Sequence, residues 1–168
     1  EESGCVLAMG RWVLRQALER LRRWDGAGRG DVCVSVNVSP RQLEDPAFVD
    51  DVERLLAEAA VAPRGLELEL TESCLLEDVE ETVVKLGRLR ELGVGIAVDD
   101  FGTGYSSLSY LKDLPLTTLK VDREFTSQIG VDRRGEAVVD TILTLARSLD
   151  LRVVAEGVET ETQLAYLA

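Results

Sequence analysis

The stretch VGIAVDDFGTGYSS, Val94 to Ser107, decides how the chain is read. Ile96, Ala97 and Val98 form a short apolar strand that ends in two adjacent carboxylates, Asp99 and Asp100. The turn Gly102-Thr103-Gly104 follows, and then a hydroxyl-rich helix start. Two acids side by side repel each other, which is poor chemistry for a core and good chemistry for holding a divalent cation. The rest of the chain repeats this pattern of apolar strand, polar or acidic strand end, loop and amphipathic helix.

Upstream, Val13, Leu14, Ala17, Leu18 and Leu21 recur at helical spacing and predict a helix over Met9 to Trp24, with Trp12 and Trp24 as packing residues at its ends. After a turn at Gly26 to Gly30, Val32 to Val38 reads as a strand ending in Asn37. Asp45-Pro46 starts a helix that runs to about Ala60. LELEL, Leu66 to Leu70, is the second strand, with Glu69 and Glu72 near its end. A helix from about Asp78 to Leu92 carries Val79, Val83, Leu86 and Leu89 on one face and stops at Gly93.

Downstream, a short helix is expected around Ser107 to Lys112, then a strand over Thr118 to Val121 carrying Lys120, with Asp122 just beyond. A helix over about Arg134 to Leu149 presents Val138, Ile142, Leu145 and Leu149. The fifth strand, Leu151 to Ala155, leads into Glu156-Gly157-Val158-Glu159, and Thr160 with Gln163 forms a capping box for a last helix.

Apolar strands alternating with amphipathic helices predict an α/β domain with a parallel, helix-covered sheet. An open doubly wound sheet gathers its polar residues at one crevice, whereas a (β/α)₈ barrel places them at every strand end. All five strand ends here are polar, so the reading is a TIM-barrel-like fold. Such a barrel typically needs about 250 residues. The 168 residues present make it incomplete, a single partial domain over residues 1–168.

Composition narrows the chemistry. The net charge of −12 argues against duplex nucleic acid as a partner. Cys5, Cys33 and Cys74 are scattered and odd in number, which fits a reducing compartment. There is no signal-peptide pattern and no apolar run long enough to span a membrane. The expected location is therefore the cytoplasm, as a free protein or as the cytoplasmic part of a membrane-attached one. The absence of histidine removes Ser-His-Asp and Cys-His chemistry and His-ligated zinc, leaving carboxylates, lysine and metals.

The strand-end residues are Asn37, Glu69, Asp99, Asp100, Lys120 and Glu156. On a barrel they converge at one mouth. Carboxylates and an amide oxygen suit Mg²⁺ or Mn²⁺, and paired ions are the usual arrangement for phosphodiester cleavage. Lys120 then orients the attacking water or balances developing charge, and Glu156 holds the second metal or that water. Each residue also has a plain reading. Glu69 alternates with Glu67 as on a solvated strand face, Asn37 caps a turn, and Lys120 pairs with Asp122 at the surface. The pattern recurring at every strand end favours the shared site. The glycine turn lacks the third glycine of a dinucleotide fingerprint and the lysine of a P-loop, so it reads as a loop that places Asp100.

The motifs VNVSPRQ (Val36 to Gln42), LELELTES (Leu66 to Ser73), VDDFGTGYSSLSYLKDLP (Val98 to Pro115), LKVD (Leu119 to Asp122) and VVAEGVET (Val153 to Thr160) resemble those of the EAL domain family, bacterial cyclic di-GMP phosphodiesterases. The resemblance implies a (β/α)₈-type barrel with one antiparallel strand, and hydrolysis of cyclic di-GMP to the linear dinucleotide pGpG with Mg²⁺ or Mn²⁺. By position it implies metal ligation by Asn37, Glu69, Asp99 and Asp100, and catalytic roles for Lys120 and Glu156. Glu72 matches a residue that steadies the loop after Asp100, and Glu159 matches an accessory glutamate. Phe101 to Ser107, with Gly102, Thr103 and Gly104, matches a loop linking the metal site to dimerisation. A homodimer and further signalling domains are the implied partners.

The Glu-Ala-Leu strand that names the family is expected upstream of Glu1, and a last strand beyond Ala168. This stretch alone is therefore expected to be inactive or poorly folded. Two other readings stay open: a non-catalytic receptor or scaffold for cyclic di-GMP, and a one-metal barrel enzyme acting on sugars or acids.

Overall fold

A computed structural model describes residues 5–75, 79–102 and 111–168. The first helix, α1, spans Cys5–Gly26, longer at both ends than the apolar periodicity marks. Strand β1 (Val34–Asn37) is followed by a short helix, α2 (Pro40–Glu44), and then α3 (Phe48–Ala59). The sequence reading missed α2. Ser39 caps it, its hydroxyl accepting from the Gln42 N–H while the Gln42 side chain accepts from the Ser39 N–H. It is closed at its other end by Lys85, a buried lysine whose Nζ donates to the Leu43 carbonyl at 2.6 Å and to the Glu44 carbonyl at 3.3 Å.

β2 (Leu66–Thr71), α4 (Val79–Leu92), β3 (Gly95–Phe101) and β4 (Thr118–Val121) follow. Asp78, expected to open α4, and most of the helix expected at Ser107 to Lys112 lie outside the described residues. After β4 comes a four-residue helix, α5 (Arg123–Thr126), capped by the Asp122 side chain, which accepts from the Glu124 N–H. The sequence reading missed this helix too. Helix α6 (Arg133–Ser148), β5 (Arg152–Ala155) and α7 (Glu161–Leu167) complete the chain, and the Thr160–Gln163 capping box is formed as read.

The five strands lie in the order β1-β2-β3-β4-β5, and all four pairings are parallel. The antiparallel strand that the resemblance implies is not one of these five. Strand order that follows chain order with no reversal is the winding of a barrel and has no switch point. In such a winding, right-handed crossovers carry the helices that connect parallel strands to one face of the sheet. On that face Leu66, Leu68, Leu70, Ile96, Val98, Leu119 and Val121 join Leu14, Leu18, Val52, Leu86 and Ile142 in one apolar core.

Two expectations about this core are corrected. Trp12 is 60 % exposed, because the buried stripe of α1 runs through Leu14, Ala17, Leu18 and Leu21 and passes it by. Val138 is exposed as well, and the neighbouring Val139 takes the buried position on α6. The opposite face of the sheet carries the polar strand residues. Strand side chains alternate between faces, so Glu67 and Glu69 point away from Leu66, Leu68 and Leu70.

Candidate functional site

Lys120 is the centre of the polar face. It is buried, and its Nζ lies 3.2 Å from Glu69 Oε2, 3.0 Å from Asp99 Oδ1 and 2.7 Å from Glu156 Oε1. Those acids come from β2, from β3 and from the loop after β5. Strand pairing brings them together: Glu69 is in register with Ala97 on β3, and Lys120 with Val154 on β5. Burial works against the ammonium charge. The hydrogen bonds to Glu156, Asp99 and Glu69 outweigh it and hold the Lys120 pKa well above the ordinary lysine range. The plain readings of Glu69 and Lys120 do not survive: Glu69 is buried, and Lys120 pairs with these three acids while Asp122 caps α5.

Asp99 and Asp100 do not terminate β3 as read. The strand continues to Phe101, and its register against β4 shifts between Val98 and Phe101. Asp100 takes a left-handed backbone, φ 54°, at this irregularity. A regular strand sends successive side chains to opposite faces, and a bulge is the device that re-aims one of them. Desolvation, followed by the charges of Asp99, Asp122 and Glu156, pushes the Asp100 carboxyl above the ordinary carboxylate range, with Lys120 acting in the opposite direction. Asn37 stands at the end of β1 in register with Glu69.

Glu72 lies in the 3₁₀ turn that follows β2 and is buried. Its Oε2 accepts the Gly102 N–H at 3.3 Å, and its Oε1 has no partner among the described residues. Gly102 has φ 94°, and a Cβ there would stand 3.1 Å from the Phe125 ring and 3.5 Å from Ile142 Cδ1. Gly102, just after the two aspartates, is therefore held among the turn that follows β2, α5 and α6. Thr103 and Gly104, which the sequence reading included in the site, lie outside the described residues.

Glu159 is turned to Arg123, at 2.8 Å, while its N–H caps onto Gln163. Gly157, φ 66°, lies where a Cβ would meet Arg123 Cγ at 2.4 Å, so the Glu156–Glu159 loop rests on the Arg123 side chain. The sequence reading did not single out Arg123. It also passed over Glu67, Ser35, Thr118 and Arg152, which form a second polar layer one step back along the strands. The alternation of Glu67 with Glu69 in LELEL was the available signal.

Among the described residues no three acids or thiols are grouped as a ready-made cation cage, and three of the carboxylates are paired with the Lys120 ammonium. The donor chemistry nevertheless fits hard divalent cations. Every candidate ligand is an oxygen donor, and Glu69, Asp99, Asp100 and Glu156 carry more negative charge than one ammonium balances. A separate cleft of about 290 Å³ between α2, Cys74 and α4 contains none of these residues.

Comparison with known proteins places the arrangement. An EAL domain model matches residues 1–168. The bifunctional diguanylate cyclase/cyclic di-GMP phosphodiesterase MucR of Pseudomonas aeruginosa is 43% identical over 99% of this chain and 24% of its own length. The cyclic di-GMP phosphodiesterase NbdA of the same organism is 46% identical over 99% of this chain and 21% of its own length. The chain thus spans about a quarter or less of these relatives. Among solved structures, the PaMucR phosphodiesterase in complex with c-di-GMP superposes with TM-score 0.92 at 43% identity, over 98% of this chain and 66% of that one. A family model matched along all of residues 1–168, together with these identities and this superposition, shows that the chain belongs to the EAL domain family.

Proposed function

We propose that this chain forms the catalytic face of a cyclic di-GMP phosphodiesterase that opens one phosphodiester bond to give linear pGpG, with Mg²⁺ or Mn²⁺ as the metal. The observation that carries the reading is the convergence of Glu69, Asp99 and Glu156 on Lys120 Nζ. Identity above 40% to proteins named as cyclic di-GMP phosphodiesterases supports the substrate.

Asn37, Glu69, Asp99 and Asp100 are the residues that would hold the divalent ions. When bound, such ions neutralise phosphoryl oxygens and lower the pKa of water. The ammonium of Lys120 stays charged across the physiological range and offers a fixed positive group where charge develops on the phosphoryl oxygens. Glu156 accepts from that ammonium and has the most exposed side chain of the three partners, at 40 %. It is thus the acid best placed to accept a proton from an attacking water. Glu72 fixes the backbone just beyond Asp100 through the Gly102 N–H. Homodimerisation through the loop after Phe101 and linkage to further signalling domains belong to the same proposal.

The test is turnover of cyclic di-GMP by the full-length protein with and without Mn²⁺ or Mg²⁺, with Glu156→Ala as control. Metal-dependent release of pGpG, lost in the control, supports the reading. Tight binding of the dinucleotide without conversion assigns the domain to the receptor class instead.

A further inference from the structure

Glu67 is a buried carboxylate, 6 % exposed, that the Lys120 cluster does not use. Its Oε1 accepts from Ser35 Oγ on β1 at 3.1 Å. Its Oε2 accepts from Thr118 Oγ1 on β4 at 2.7 Å and from Arg152 Nη2 on β5 at 2.6 Å. The same guanidinium nitrogen also donates to Thr118 Oγ1 at 3.2 Å. β2 lies between β1 and β3 in the sheet, so this carboxylate reaches over β3 to the two strands beyond.

Gly95 is what permits that reach. It is in register with Glu67, and a Cβ there would lie 3.3 Å from Glu67 Cβ and Cγ and 3.4 Å from its Oε2. Ser35, Glu67 and Thr118 each precede a site residue by one full strand repeat: Asn37, Glu69 and Lys120. Residues so spaced share a face.

We propose that Glu67 is a positioning residue for the phosphodiester centre, tying β1, β4 and β5 together at the height that lets Glu69 meet Lys120. This rests on the phosphodiesterase reading. Stability alone is a weak reason for the arrangement, since a buried ion pair is often replaced by apolar residues without loss. Arg152 is also 59 % exposed on its side chain, so its Coulomb attraction is well screened. What the layer supplies is direction, through charge-assisted hydrogen bonds from three strands to one carboxylate.

The experiment compares Glu67→Gln, Glu67→Leu, Thr118→Val and Thr118→Ser in the full-length protein. It reads kcat and KM for cyclic di-GMP, the Kd for Mn²⁺ by electron paramagnetic resonance without substrate, and the melting temperature. Glu67→Gln and Thr118→Val are expected to lower kcat and weaken Mn²⁺ binding, each about tenfold, as loss of supporting hydrogen bonds around ligands does. KM should stay within about twofold, and Thr118→Ser should keep wild-type values. Glu67→Leu should lose kcat while keeping its melting temperature. Variants whose melting temperature falls while kcat and the Mn²⁺ Kd stay within about twofold overturn the proposal. A wild type that binds Mn²⁺ without turnover sinks only the phosphodiesterase reading, and the Mn²⁺ ratios still decide on Glu67. A wild type with neither property overturns both.

Discussion

Lys120 and Glu156 meet at 2.7 Å although one lies within β4 and the other in the loop beyond β5. Their contact depends on the parallel register that sets Lys120 beside Val154 and carries the chain on to Glu156. Among the described residues, Lys120→Met removes the one cation paired with Glu69, Asp99 and Glu156. Turnover of cyclic di-GMP is expected to fall at least about 100-fold. Its binding, measured by calorimetry, should change far less. Leaving buried acids uncompensated should also cost about 3 kcal/mol of stability in metal-free buffer. Added Mn²⁺ should restore part of that loss. A variant with unchanged kcat would remove Lys120 from the mechanism.

Asp99 bridges two tasks, as a partner of Lys120 at 3.0 Å and as the residue whose Oδ1 accepts the Asp100 N–H at 3.1 Å. Asp99→Asn keeps the shape and removes the charge. It is expected to abolish Mn²⁺ binding by paramagnetic resonance and to abolish turnover. Full activity in this variant would show that the acid pair does not hold metal.

Asp51 joins α1 to α3, accepting from Arg11 and, at 2.6 Å, from Arg54. Burial alone would raise its pKa, but the hydrogen bonds from the two guanidinium groups outweigh it and leave the carboxyl below the ordinary range. A depressed folded-state pKa contributes stability that is complete above the unfolded value and is lost as pH falls through the folded value. Asp51→Asn should therefore cost about 1 kcal/mol at neutral pH. In urea titrations the gap to wild type should close at strongly acid pH. A gap independent of pH would show that packing, not charge, is what Asp51 supplies.

Gly102 and Gly87 form a matched pair of tests. Gly102→Ala puts a side chain at φ 94° and against the Phe125 ring, and should cost about 1–2 kcal/mol. It should also reduce turnover, because the residue follows directly on the Asp99-Asp100-Phe101 stretch. Gly87 lies inside α4 with open space around it, so Gly87→Ala should stabilise by about 0.5–1 kcal/mol without altering activity. Melting curves of the two variants moving in the same direction would contradict this account.

Local patterns made the strand-and-helix order legible. Thr118–Val121 was read to the residue, and the Thr160 capping box was visible because its chemistry is contained within four residues. Helices α2 and α5 escaped because each is a single short turn set by a cap, Ser39 or Asp122, and carries no hydrophobic period. The strand-end acids were legible because charges rarely end apolar strands without reason. Their convergence with Lys120 at one mouth was legible as well, but the three ion pairs to its ammonium were not, since they depend on register between strands far apart in sequence. The second layer failed for a related reason: Glu67 looks solvated in LELEL until Gly95 is seen to open the space above β3. The bulge at Asp100 likewise has no signature in its residue types.

Because β1 to β5 stand in space as they stand in the chain, each arriving strand finds its partner already made. Pairing of consecutive units closes shorter loops than pairing of distant strands would, which limits the loop-closure cost that makes parallel sheets slow to form. During synthesis the described sheet can grow from β1 towards β5 as the ribosome delivers it. Lys120 thus enters a surface where Glu69 and Asp99 already stand, and Glu156 is the last of the four to arrive.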